Sequence, residues 1–280
     1  MENNTPSENF SSLYFLDTST QINRHWADEQ ISKQVRSDLF GRRLRCSIYV
    51  ERQYRCRVLN TLIAVHVFVI TSEDLDEAKS RIEKCKEEIG IDELVYNVTR
   101  RLFNKYNSKK ALLRYLRRLI EVDWQNFFYD AVPKPLCDMT NCTKGADAPK
   151  CKQGYYLTIP KICPPNCNIC DFWKSKNKDL HNLAAINPND FDRPIDPKST
   201  LQQIRTEAQT ILEGKSPRNE RCRIVSDAVI SIEARDSFPG ITIHTMDSDF
   251  DNLKKILRTQ VRFFKADQDD LNLFSQLPSG

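Results

Sequence analysis

The sequence predicts an α/β fold with a central, mostly parallel sheet, interrupted by a long helical and cysteine-rich stretch. Three observations predict it. A short apolar run, LYFLD at 13–17, ends in an acid, as a buried strand does when it reaches a sheet edge. The C-terminal region alternates NERCRIVSDAVISIEARDS (helix), GITIHT (strand), DSDFDNLKKIL (helix) and VRFFK (strand), an α/β signature. Between them, Pro133 to Pro197 holds nine of the 13 prolines and six of the ten cysteines and shows little periodicity.

In chain order, TSTQINRHWADEQISKQ opens on hydroxyl residues suited to a helix N-cap. LRCSIYV at 44–50 reads as a short strand or turn, and ERQYRCRVLNTLIAVHVFVI as a mostly buried helix. DLDEAKSRIEKCKEEIG carries acids early and lysines late, with Gly90 placed to end the helix. IDELVYNVTRRLFNKY and KKALLRYLRRLIEVDWQNFFYDAV continue at helical spacing, the second ending before Pro133 and Pro135. TLQQIRTEAQTILEG is a further helix with Gly214 as its C-cap. The expected division is therefore residues 1–70 with 199–280 as one α/β unit, and 71–198 as an insertion whose cysteine-rich part is 133–198.

The chain has 280 residues, 40% hydrophobic and 29% charged, the composition of a folded protein and not of a disordered one. Its 42 basic and 38 acidic side chains give a net charge of +4, so nucleic-acid binding has to rest on local clusters. MENNTPSENFSS has no basic stretch leading into an apolar core, so no secretory signal is expected. The run Val58 to Ile70 is broken by Asn60, Thr61 and His66 and is too short to span a bilayer. A cytoplasmic setting without membrane contact is expected, and there ten cysteines are poor disulfide candidates.

Three acids fall where a sheet meets its helices. Asp17 follows a strand directly, at the end of a parallel strand where ligands bind. Asp247 follows the strand 241–245 in HTMDSDF. Asp227 lies in an apolar helical stretch, IVSDAVISI, where a lone carboxylate is costly to bury. Converging carboxylates hold hard cations such as Mg²⁺ or Mn²⁺, which activate water and stabilise charge in phosphodiester hydrolysis. Simpler roles stand beside this one. Asp17 and Asp247 could each cap the helix that follows, and Asp227 could pair with Arg221 or Arg223.

These residues resemble a known family. LYFLDTSTQINR is similar to the opening strand and turn of PIN-domain ribonucleases, and VSDAVISIEARDSFPGITIHTMDSDFDNLKK to their closing helix–strand–turn–helix. The resemblance implies a three-layer α/β/α fold and a metal-dependent endonuclease, RNA more than DNA. It implies Asp17, Glu51, Asp227 and Asp247 as ligands of one or two Mg²⁺ or Mn²⁺ ions. Asp249 is implied as an auxiliary acid, Thr18 or Ser19 as a supporting hydroxyl, and Thr245 as a donor to a carboxylate. Arginines follow Glu51 where the family has apolar residues. The stretch from Glu51 to Asp227 is also far longer than in a minimal member, which leaves 71–198 as an insertion. Single-stranded RNA is the expected substrate, and a regulatory partner or a second copy of the chain would fit the insertion. A toxin or phage-defence effector is one role for such an enzyme. The rival reading, from a different class, is a catalytically silent PIN-like scaffold that binds RNA or protein through the insertion.

Arginine clusters at 42–45, 51–57, 99–101 and 114–118 supply phosphate-binding candidates, Arg52 and Arg55 foremost, with Tyr54 and Tyr115 available for stacking. Each cluster also reads as a solvated helix face. His25 and His66 read as structural, and His244 is unassigned. Among Cys137, Cys142, Cys151, Cys163, Cys167 and Cys170, the run CPPNCNIC resembles a metal knuckle. Four of the six could hold a structural Zn²⁺, which would explain order in a proline-rich stretch. An iron–sulfur cluster or free packed thiols are the alternatives, and Cys46, Cys56, Cys85 and Cys222 read as core residues.

Overall fold

The computed structural model describes residues 13–88, 92–160, 163–164, 167–187 and 200–265. Gly90 lies outside them. Strand β1 (Leu13–Leu16) is buried from Tyr14 onward, and helix α1 (Thr18–Trp26) starts directly behind it. The cap is Asp17 and not one of the hydroxyl residues that follow, since its Oδ1 accepts from the Thr20 N–H at 2.7 Å. The stretch expected as one helix is two, because Asp28 caps a second helix, α2 (Glu29–Leu39). Strand β2 (Arg43–Arg45) precedes α3 (Ile48–Thr71), whose first turn is capped by Ser47.

Helix α3 is longer than the apolar run suggested. At 24 residues it is long and apolar enough to cross a bilayer, yet most of it is buried inside the protein. Apolar residues all round a helix mean burial on all sides. Around it pack α1, α4 (Leu75–Glu88), α5 (Glu93–Lys105), α6 (Lys109–Arg118) and α7 (Trp124–Tyr129), with a π-helical turn at Leu119–Asp123 between the last two.

The cysteine-rich stretch is more regular than its sequence suggested. It forms an antiparallel hairpin of β3 (Cys151–Lys152) and β4 (Tyr155–Tyr156), then α8 (Ile169–Ser175) and α9 (Asn177–Ala184). Helix α10 (Thr200–Leu212) packs on α9 and is followed by Gly214 at φ +87°, the left-handed turn a C-terminal glycine allows. The helix expected over NERCRIVSDAVISIEARDS is broken at Val225 into α11 (Glu220–Ile224) and α12 (Ser226–Ser237). Strand β5 (Thr242–Thr245), α13 (Asp249–Leu257) and β6 (Gln260–Phe263) close the described chain.

The mixed α/β architecture is clear in the sheet. Four strands run in the order β2-β1-β5-β6, every neighbouring pair parallel. Leu16 stands opposite His244, so the C-terminal ends of β1 and β5 open side by side. Residues of the sheet and of the stretch 71–198 share one core among the described residues. One buried apolar cluster takes in Phe15 and Ile243 of the sheet, Leu112 and Trp124 of the helical stretch, and Trp173 beyond the cysteine-rich loop.

Glu233 of α12 is fully buried in this core. Burial, with the negative charge of Asp138 nearby, pushes its carboxyl from an ordinary 4.5 up to about 8, against donations from Ser47 and the Met139 N–H. The folded protein therefore holds a proton here that the unfolded chain has lost, and this stabilisation disappears as pH rises from about 4.5 through 8. Glu233→Gln is expected to flatten the fall of the urea midpoint between pH 6 and pH 8.5, a comparison that two denaturation series make directly.

Candidate metal centre at the strand ends

Asp17 reaches the end of β1 because the apolar run before it is buried and the chain must turn there. Its Oδ2 accepts from Ser19 Oγ at 2.7 Å and from Thr245 Oγ1 at 2.9 Å, while its N–H donates to the His244 carbonyl across the sheet. Thr245 is shared, since its hydroxyl also accepts the Asp247 N–H at 2.9 Å. Asp247 Oδ1 in turn accepts the Asp249 N–H at 3.0 Å, which shapes the entry into α13. The turn is tied back to the first strand by the Met246 N–H donating to Ser19 Oγ.

Asp227 approaches from α12. The break at Val225 puts it in the first turn of that helix and not mid-helix as expected, where the helix dipole favours a negative charge. One oxygen from each of Asp227, Asp247 and Asp249 lies within 4.8 Å of the others. Burial and the charges of Asp247, Asp17 and Asp249 push the Asp227 carboxyl from 3.8 up to about 8. Burial alone is the largest influence raising Asp17, and it also raises Asp249. None of the ion pairs among the described residues involves Asp17, Asp227, Asp247 or Asp249. The two arginines considered as partners of Asp227 are engaged elsewhere, Arg221 with Glu207 at 3.1 Å and Arg223 with Glu220 at 2.8 Å. Three carboxylates converging within 4.8 Å, with Asp17 linked to them through Thr245, suit an oxygen-preferring divalent ion.

The remaining residues singled out in the sequence fall into two groups. Asp249 belongs with the closest trio, and Asp17 joins it through Thr245. Glu51 is not among the acids whose oxygens lie within 4.8 Å of one another, Thr18 bonds Gln53, and Arg55 bonds backbone carbonyls. The charged neighbours of Glu51 are Arg52 at 3.2 Å, Arg55 and Lys134, and the α3 side chain bonded beside the Asp17 turn is Gln53, whose Oε1 accepts from Thr18 Oγ1 at 2.6 Å. Two residues apart on a helix is about 200° of rotation, so both side chains cannot face the turn. Thr18 is thereby spent on Gln53, and the supporting hydroxyls are those of Ser19 and Thr245, with Thr20 donating to the His244 carbonyl. Arg55 is buried beside the ring of Trp124 and donates to the carbonyls of Ala146 and Asp147 at 2.7 and 2.6 Å, which fits a structural role and not phosphate capture. Arg52, half-buried, donates to the Cys142 carbonyl.

His25 contacts Asp130, and His66 is enclosed against Tyr156. His244 is buried between Asp38 and Thr20, which makes it a brace for the strand end. Of the cysteines, Cys142, Cys163 and Cys167 are buried together with Cys222, which the sequence suggested was an ordinary core residue. Cys137 sits by the Cys46 carbonyl, and Cys151 is exposed.

No protein-family model, curated protein or solved structure matches the chain. What the site does must therefore be argued from its own chemistry. Thr245→Val removes the hydroxyl that orients both Asp17 and Asp247, a change that in metal sites weakens ion binding or activity by about 10- to 100-fold. Titration of Mn²⁺ against the variant by calorimetry checks this.

Proposed function

We propose that this protein is a metal-dependent endonuclease of PIN-like type that hydrolyses phosphodiester bonds, with single-stranded RNA as its preferred substrate class. The observation that carries the reading is the carboxylate set itself. Asp227, Asp247 and Asp249 converge within 4.8 Å at the ends of parallel strands, with Asp17 joined to them through Thr245 and none of them in an ion pair among the described residues. The order of the motifs along the chain supports the same reading, and the parallel sheet agrees with it. The preference for RNA rests on the resemblance alone.

In this reading Asp227, Asp247 and Asp249 hold one or two Mg²⁺ or Mn²⁺ ions, and Asp17 completes the set. The ion supplies an activated water and stabilises charge on the leaving oxygen. The protein's own residues fix the carboxylates: Ser19 and Thr245 hold Asp17, and Thr245 holds the Asp247 backbone. With Arg55 committed to the fold, the cations available for phosphates include Arg52 and those lining a surface groove along α6, Lys110, Arg114 and Arg117. Incubation of labelled single-stranded RNA with Mn²⁺, with Mg²⁺ and with chelator tests the reading. Cleavage with either ion and none with chelator is expected, and cleavage unaffected by chelator sinks it.

A further inference from the structure

Helix α6 carries more positive charge than its surroundings neutralise. Its sequence, KKALLRYLRR, holds five basic residues and no acid. Along α4, by contrast, the two signs are interleaved, and Lys84 pairs with Glu88. On α6, Lys110 and Arg114 stand four residues apart, as do Arg114 and Arg118, a spacing at which like charges repel and cost helix stability. A face that merely keeps a protein dissolved gains from alternating its charges, and this one does not alternate.

All five basic residues border one surface groove of about 740 Å³, together with Glu121 and Val122 of the π-helical turn that follows. Such turns are rare inside helices and frequent at functional sites. Two of the five cations are engaged: Lys109 Nζ donates to the Ser72 carbonyl, and Arg118 pairs with Asp123 at 2.7 Å. Glu121, the one acid of the lining, accepts from the Tyr156 hydroxyl. Lys110, Arg114 and Arg117 are exposed and take part in no ion pair or hydrogen bond among the described residues. At positions 110, 114 and 117 they share one helix face and span about 10 Å of its axis. Apolar surface lies beside them, since Leu113 is half-buried and Val122 is 58% exposed.

We infer that the α6 groove is a docking surface for a single strand of nucleic acid, whose phosphates are held by Lys110, Arg114 and Arg117. A row of unpaired cations along a groove is the electrostatic footprint of a polyanion. Apolar side chains beside the cations suit base faces, which a single strand exposes and a duplex hides. The groove shares no residue with the carboxylate centre, so it grips a part of the strand other than the bond to be cut. The inference rests on the proposed nuclease reading only for the choice of nucleic acid over other polyanions. Binding here requires neither metal nor cleavage.

Anisotropy of a labelled single-stranded RNA, titrated with the full chain in the presence of chelator, tests this without cutting. A strand of about 12 nucleotides should bind, and its affinity should fall about 20-fold between about 50 and 200 mM salt, as three phosphate contacts require. The triple variant Lys110→Ala, Arg114→Ala, Arg117→Ala should lose that salt dependence and most of the affinity while keeping its urea midpoint. A control of equal charge, Lys33→Ala, Lys79→Ala, Lys178→Ala, changes exposed residues of α2, α4 and α9 and should stay within about twofold of the wild type. Cleavage with Mn²⁺ is scored separately, so a nuclease that does not use the groove and a groove-binding protein that never cuts are told apart. Wild-type affinity in the groove variant, an equal loss in the control, or tighter binding to duplex RNA or to vesicles of anionic lipid would overturn the inference.

Discussion

Replacing Asp227 with asparagine will abolish strand cleavage and, at pH 8, raise the melting temperature of the metal-free protein. Both effects come from the same crowding. Burial first, and then the like charges of Asp247, Asp17 and Asp249, push the Asp227 carboxyl from 3.8 up to about 8. The folded protein thus binds a proton here that the unfolded chain has released, so stability falls as pH rises across that window. Asparagine keeps the shape and removes the ionisation. A gain of about 2 kcal/mol at pH 8, and little at pH 4, follows from partial burial. In a domain of this size it reads as a rise of several degrees, roughly 2–4 °C per kcal/mol. Mn²⁺ should raise the melting temperature of the wild type at pH 8 and leave the variant unmoved. The same ligand is part of the proposed reaction. Its loss forfeits several kcal/mol of charge stabilisation, about a 10³-fold fall in rate. Scanning calorimetry at the two pH values, paired with a cleavage assay, checks both halves. A variant that loses activity through misfolding would lose stability as well.

Replacing Arg55 with leucine will lower stability sharply and leave substrate affinity unchanged. Its guanidinium is buried against Trp124, with two nitrogens donating to the Ala146 and Asp147 carbonyls at 2.7 and 2.6 Å. Hydrogen bonds of charged donors contribute about 1.5–3 kcal/mol each, less in sum because they share one group. A net loss of about 3 kcal/mol is expected, measured by urea unfolding. An arginine that held substrate phosphates would instead raise KM in the cleavage assay and leave the midpoint near its wild-type value.

The contrast between these residues shows what could be read before the fold. Strand ends were legible because a short apolar run closing on an acid marks where a buried strand leaves the sheet, and Asp17 and Asp247 followed from it. The bond from Thr18 to Gln53 was not legible, because the start of α3 is fixed by Ser47 and helix phase depends on that one cap. Arg55 resembled a phosphate ligand because a cluster of arginines says nothing of which carbonyls will fold against it. The break at Val225 escaped notice because IVSDAVISI is apolar on both sides of it, so periodicity has no interruption to register.

The central claim is that the acids at the strand ends cut nucleic acid with the help of a divalent ion. A panel of single- and double-stranded RNA and DNA, incubated with Mg²⁺ or Mn²⁺ and with wild type or Asp17→Asn, tests it most directly. Cleavage by the wild type, strongest on single-stranded RNA, and none by Asp17→Asn is the predicted result. A wild type that cuts nothing with either ion, or an Asp17→Asn variant that cuts equally well, would contradict it.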